Sequence, residues 1–245
     1  MSTIEFVTVT YKDDFRNLIG LLESMDKNIK LDYVHTIILN DDYKHYQLLM
    51  EICKKFHTRI RNVLHYSQVG SFENDKKNYK ITSGIITGWS LAQLLFFYYS
   101  EICKTDYYII LTCRNRIKKF WDIDNIIVDN KYPRAVAQQK WDDLSPKFQN
   151  YFETSYNYFN INYNEFTLNS NLPATNPPYI WKTNFVLELL SFAKSQNKNM
   201  FNYIDPCFNW NTGSDSYIYD AWLKFKNQNN STYISIFHDI IEESR

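Results

Sequence analysis

Tyr107-Tyr108-Ile109-Ile110-Leu111-Thr112-Cys113-Arg114-Asn115 joins five apolar or aromatic residues to four polar ones. A run of this kind, bounded by polar residues, reads as a β-strand buried on both faces of a sheet. The polar tetrad 112–115 then falls at the strand's carboxyl end, the edge at which open α/β sheets bind ligands. That tetrad contains no carboxylate.

Outward from this strand, strands and helices alternate. Ile4–Thr10 is rich in β-branched residues and reads as a first strand. Asp13 or Asp14 can cap the helix that follows, whose apolar stripe is Phe15, Leu18, Ile19, Leu22 and Met25. Tyr33–Leu39 is a second strand ending in Asn40-Asp41-Asp42, and Ile60–His65 is a third. Between them Leu48, Leu49, Ile52 and Phe56 mark a second helix. Short connections imply right-handed crossovers and a mainly parallel central sheet flanked by helices. Residues 66–82 are polar and aperiodic and read as a long loop, whereas 84–104 resumes as a helix.

Beyond the Tyr107 strand, residues 134–138 read as a strand and Ser145-Pro146 opens a helix. The segment 157–178 holds Pro173, Pro177 and Pro178 and reads as a loop or lid. Thr183 begins a helix, Ser214 caps another, and 233–237 reads as a last strand with His238 at its carboxyl end.

At 245 residues the chain suffices for one α/β domain, and no Gly/Ser- or Pro-rich linker divides it. Lys+Arg and Asp+Glu both total 27, leaving no net field to favour nucleic acid or an anionic membrane. Cys53, Cys103, Cys113 and Cys207 stand far apart without a CxxC pair, so neither a zinc site nor a disulfide framework is expected. Met1-Ser2-Thr3-Ile4-Glu5 has no basic n-region, and no apolar run approaches the roughly 18–20 residues of a membrane span. A reduced, cytoplasmic protein is expected.

Thr10-Tyr11, Asn40-Asp41-Asp42 and 112–115 should converge at the sheet's carboxyl edge. Tyr11 offers an aromatic face to a base. Asp41 or Asp42 can accept from ribose hydroxyls or a base N–H, or else simply cap the next helix. Gly88-Trp89 and Gln93 lie in the first turns of a helix, where free N–H groups and an aromatic plane can meet a sugar or phosphate. The alternative for Trp89 is ordinary core, the commoner fate of a Trp. Trp210, between Asn209 and Asn211 and close to Gly213, suits the apolar face of a pyranose.

Phe6-Val7-Thr8-Val9-Thr10-Tyr11, Gly88-Trp89 with Gln93, the strand 107–111 with its tetrad, and Ser214-Asp215-Ser216-Tyr217-Ile218-Tyr219 occur in this order. Together they resemble a family of bacterial glycosyltransferase-like proteins of the GT-A fold, associated with polysaccharide genes. The resemblance covers about residues 4–238. It implies a single GT-A-like domain over 1–245, with a nucleotide-binding half at about 1–115 and an acceptor half at about 116–245. It also implies a nucleotide-diphosphate sugar as donor and a glycan hydroxyl as acceptor.

Many such enzymes carry Asp-x-Asp after the corresponding strand, one carboxylate reaching a divalent metal. Thr112, Cys113 and Arg114 stand in those positions, so Mn²⁺ or Mg²⁺ held in the usual way is not expected. Arg114, beside Asn115, then either neutralises the leaving diphosphate or marks a site that binds without turnover. Asp215 stands in the Glu position and Ser216 in the first Tyr position of the family's Ser-Glu-Tyr-x-x-Tyr pattern, which implies Asp215 as general base of an inverting transfer and Tyr217 as a sugar- or acceptor-binding residue. Asp215 also suits a helix start through the macrodipole. His238 fits loosely the family's C-terminal histidine, which completes a phosphate or metal site. The rival expectation is a catalytically inactive nucleotide- or sugar-binding module of the same fold.

Overall fold

The computed structural model describes residues 4–29, 32–56, 60–79, 88–119, 134–135, 140–167, 172, 178–204, 214–226, 233–234 and 241–243. In chain order the first half runs β1 (Ile4–Thr10), α1 (Phe15–Asn28), β2 (Tyr33–Leu39), α2 (Tyr46–Lys54) and β3 (Ile60–His65). It continues with α3 (Phe72–Asn78), α4 (Gly88–Tyr98), β4 (Tyr107–Ile110) and β5 (Asn115–Ile117). The second half is β6 (Arg134–Ala135), α5 (Pro146–Asn157), α6 (Asn164–Thr167), β7 (Tyr179–Lys182), α7 (Thr183–Ser195), α8 (Met200–Tyr203), α9 (Asp215–Phe225), β8 (Tyr233–Ile234) and β9 (Ile241–Glu243).

Among the described residues the main sheet has the strand order β3-β2-β1-β4-β7. β1 pairs in parallel with both β2 and β4, β2 in parallel with β3, and β7 closes the edge antiparallel to β4. The chain order of the strands therefore reverses between β1 and β4. A crevice opens at the carboxyl ends of the strands at such a switch point.

Alternate residues of each strand feed separate cores. Phe6, Ile37, Leu39, Ile109 and Ile180 pack with α1 and α2 residues such as Leu18, Leu22, Met25 and Leu49 on one face. Val7, Ile38, Tyr108, Ile110 and Trp181 pack with α4, α5, α7 and α9 on the other. The result is the mainly parallel α/β sheet, helix-covered on both faces, that the apolar strand runs imply.

Several expectations need correction. Residues 66–82 are not one long loop: a short 3-10 turn, Tyr66–Gln68, leads to α3. That helix has no apolar period; it is anchored by buried Phe72, which meets Tyr98 and Phe201, and by Asp75, which accepts from the Tyr98 hydroxyl. The helix expected to reach 104 stops at Tyr98 and tightens into the 3-10 turn Tyr99–Glu101. Buried Glu5 holds the exit, accepting from Tyr99 Oη and Lys104 N. α6 interrupts the proposed lid, and β7 was not foreseen. Four residues behind Pro177-Pro178 are too few to show a period, so pairing with β4 alone makes them a strand. β8 joins β6 in a separate two-stranded sheet rather than the main one. Among the described residues no helix is long and apolar enough to cross a membrane.

Candidate functional site

A cavity of about 790 Å³ opens at the β1/β4 switch point. β1 and the residues after it contribute Val9, Tyr11, Asp13 and Asp14; the end of β2 gives Asn40 and Asp41; the end of β4 gives Thr112 and Arg114. The far wall is α4, through Gly88, Trp89, Ala92, Gln93 and Phe96, with Asp215 from the start of α9.

Backbone connections tie these edges together. Asn40 N donates to Thr10 O at 2.8 Å, and Asn40 Nδ2 donates to Gly88 O at 3.1 Å, joining β2 to α4. Asp41 Oδ2 accepts from Lys12 N at 2.9 Å and Oδ1 from Asp42 N at 2.7 Å. Its carboxylate thus locks the two loops side by side while still lining the cavity.

Arg114 is exposed on the rim, in the turn between β4 and β5. The turn is held by its neighbours. Asn115 is buried, and its Oδ1 accepts from Thr112 N at 2.7 Å and Thr112 Oγ1 at 3.2 Å. Arg116 donates to the carbonyls of Cys113 and Asn115, both at 2.8 Å. Cys113 is buried, and burial pushes its thiol well up from the ordinary value. Tyr11 is 41% exposed; burial and then the Asp14 carboxylate push its hydroxyl up, while the Arg114 guanidinium pulls it down.

Asp215 and Gln93 form the floor, each 3% exposed. Gln93 Oε1 accepts from Asp215 N at 2.9 Å, linking α4 to the first residue of α9. Asp215 Oδ1 accepts from Ser216 N at 2.8 Å and Ser214 Oγ at 3.4 Å. Burial nevertheless wins, pushing the Asp215 carboxyl up to about 7. Trp89 is 49% exposed and stacks on Tyr151, with ring centroids 6.5 Å apart.

Of the residues singled out from the sequence, Tyr11, Asp41, Arg114, Trp89, Gln93 and Asp215 meet in this cavity. Thr10, Asp42, Asn115 and Tyr217 do not line it. Thr10 is buried between its cavity-lining neighbours Val9 and Tyr11, as strand alternation requires. Asp42 caps the 3-10 turn Tyr43–His45, accepting from Lys44 N at 3.1 Å and pairing with Lys44 Nζ at 3.0 Å. Those contacts hold its carboxyl below the usual range. Tyr217 is fully buried, edge-on to Phe152. Trp210 and His238 lie outside the described residues. Asn40, in the loop expected at this edge, also lines the cavity; Asp13 and Asp14 were missed as lining residues, having been read only as a helix cap although they follow β1 at the ligand edge.

The donor set at the end of β4 is a hydroxyl, a buried thiol and a guanidinium, which does not suit Mg²⁺ or Mn²⁺. Among the described residues no group of three or more His, Cys, Asp or Glu could hold a metal ion.

The same architecture occurs in solved glycosyltransferases of the GT-A type. Core-mannan synthase A from Aspergillus fumigatus, solved in a Mn/GDP form, matches with a TM-score of 0.61 at 10% identity, over 99% of this chain and 75% of that one. The bifunctional glycosyltransferase WbbM, solved in its apo form, matches with a TM-score of 0.52 at 10% identity, over 95% of this chain. This chain spans 39% of the WbbM chain. At such identities the likeness establishes the fold. No curated protein matches the sequence. A family model does match, over residues 3–219, and the chain belongs to that family, the family of unknown function DUF6492.

Proposed function

We propose that this chain is a glycosyltransferase that moves a sugar from a nucleotide-diphosphate sugar to a glycan hydroxyl, with inversion and without a bound metal. The observation that carries the reading is the pairing, across one cavity, of a cation at the end of β4 with a buried carboxylate at the start of α9. The GT-A architecture shared with core-mannan synthase A supports it.

In this reading the half at about 1–115 holds the nucleotide and the rest supplies the acceptor side. Tyr11 stacks on the base, and Asp41 accepts from the nucleoside. Asp13 and Asp14 lie on the same side of the cavity, and the diphosphate sits by Arg114. Asp215 takes the proton of the acceptor hydroxyl as that oxygen bonds to the anomeric carbon. The bond from that carbon to the diphosphate breaks, and the nucleoside diphosphate leaves with the electron pair. Arg114 offsets the charge that develops on it. His238, as phosphate ligand, and Trp210, as acceptor platform, remain part of the proposal.

The test is transfer or donor hydrolysis with UDP-, GDP- and dTDP-sugars, each with EDTA and with Mn²⁺. Activity that survives EDTA, is abolished by Asp215→Asn and falls with Arg114→Ala is the expected result. Dependence on Mn²⁺ would remove the guanidinium from its assigned role. Nucleotide binding with no turnover under any condition would favour a binding module, the reading that the missing carboxylates after β4 support.

A further inference from the structure

The floor of the cavity holds a hydrogen-bond donor with nothing to bond. Gln93 is 3% exposed, and its amide orientation is set by chemistry: only the oxygen can accept from Asp215 N, at 2.9 Å. Nε2 must therefore point the other way, and among the described residues it is buried without a partner. Buried amide donors are almost always bonded, so an unpaired one at a cavity wall marks a place kept for a ligand. Beside it, Asp215 Oδ1 is taken by Ser216 N and Ser214 Oγ, while no hydrogen bond to Oδ2 is formed among the described residues. One donor and one acceptor thus belong to two hydrogen-bonded neighbours that both line the cavity.

We propose that Gln93 Nε2 and Asp215 Oδ2 clamp a single hydroxyl of a neutral pyranose. A hydroxyl accepts from the amide and donates to the carboxylate at once. A ligand carboxylate would satisfy Nε2 but be repelled by Asp215, and an ammonium would pair with Asp215 but oppose Nε2. Val9, Ala92 and Phe96 line the same cavity as the half-exposed ring of Trp89, and such apolar surfaces suit the C–H face of a sugar ring. The inference rests on the transfer reading only in taking the ligand to be a sugar. It adds that Gln93 touches that sugar and selects for one hydroxyl.

The probes are free glucose, mannose and galactose and their monodeoxy analogues, titrated against the intact chain by saturation-transfer NMR, with UDP and GDP titrated separately by calorimetry. For the hexose that binds, one monodeoxy analogue should bind about tenfold more weakly than its parent, the effect of one hydrogen bond to a buried partner. In Gln93→Met, which is close in size and carries no donor, that selectivity should vanish while UDP or GDP binding is unchanged. Equal binding of all monodeoxy analogues to the wild-type chain overturns the clamp without recourse to any variant. So does selectivity retained in Gln93→Met, or nucleotide binding with no monosaccharide binding, the last leaving the transfer reading intact. Selective hexose binding with no nucleotide binding would uphold the clamp and end the transfer reading.

Discussion

Asp215 is a buried carboxyl that costs the fold stability once it ionises. Its carboxyl sits at about 7 in the folded chain against an ordinary value of 3.8. Between those values the folded state keeps a proton that the unfolded state has released. Stability therefore falls as pH rises across that interval, and the loss is complete above about pH 7. At about 1.4 kcal/mol per pH unit the penalty reaches about 4 kcal/mol. Asp215→Asn removes it, so the variant is expected to be more stable than the wild type at pH 8, with little gain at pH 4. Urea unfolding at both pH values checks this, and a variant less stable at pH 8 would contradict the burial penalty. If Asp215 is the base, kcat/KM should also drop about tenfold per unit below pH 7. The resemblance of Ser214-Asp215-Ser216-Tyr217-Ile218-Tyr219 to a family pattern made the residue legible as a candidate. Its burial, and the amide of Gln93 against its N–H, arise from the meeting of α4 and α9, 122 positions apart in sequence.

At the scale of elements, the turn from β4 to β5 is the part most sensitive to its surroundings. Arg116 reaches back under it to two carbonyls and lies across Gly20 of α1. A Cβ at Gly20 would stand 2.5 Å from Arg116 Nη2 and 2.7 Å from Cζ. Gly20→Ala gains about 1 kcal/mol of helix propensity but displaces the guanidinium. The expected outcome is a folded protein of similar Tm whose UDP or GDP affinity is several-fold weaker, because Arg114 loses its fixed turn; calorimetry beside thermal unfolding separates the two effects. Unchanged affinity would mean that Asn115 alone holds the turn. The tetrad announced itself in the sequence as polar and placed at a sheet edge. Which of its members turns inward did not, because Thr112, Arg114 and Asn115 are all polar and the turn geometry is what buries Asn115.

For the whole molecule, a cavity assembled from β1, β2, β4, α4 and α9 couples ligand binding to global stability. A nucleoside diphosphate at about 100 times its Kd adds about 2.7 kcal/mol to the folded state. For a chain of this size that corresponds to a rise in Tm of about 5–10 °C. The expected result is such a rise with UDP or GDP in EDTA, measured by calorimetric scanning; a rise seen only when Mn²⁺ is added would place a cation where Arg114 is assigned.

The sequence by itself determined the alternation of elements, the mainly parallel sheet and the sheet edge at which the cavity opens. These follow from local periodicity and from strands buried on both faces, signals written into neighbouring residues. Tertiary structure alone decided the rest. Pairing with β4 turned Tyr179–Lys182 into a strand. Packing of Phe72 against Tyr98 and Phe201 anchors the otherwise polar helix Phe72–Asn78. The floor of the cavity depends on an amide and a carboxylate brought together across the chain. Contacts between distant residues leave no period in a sequence, so only the folded chain shows them.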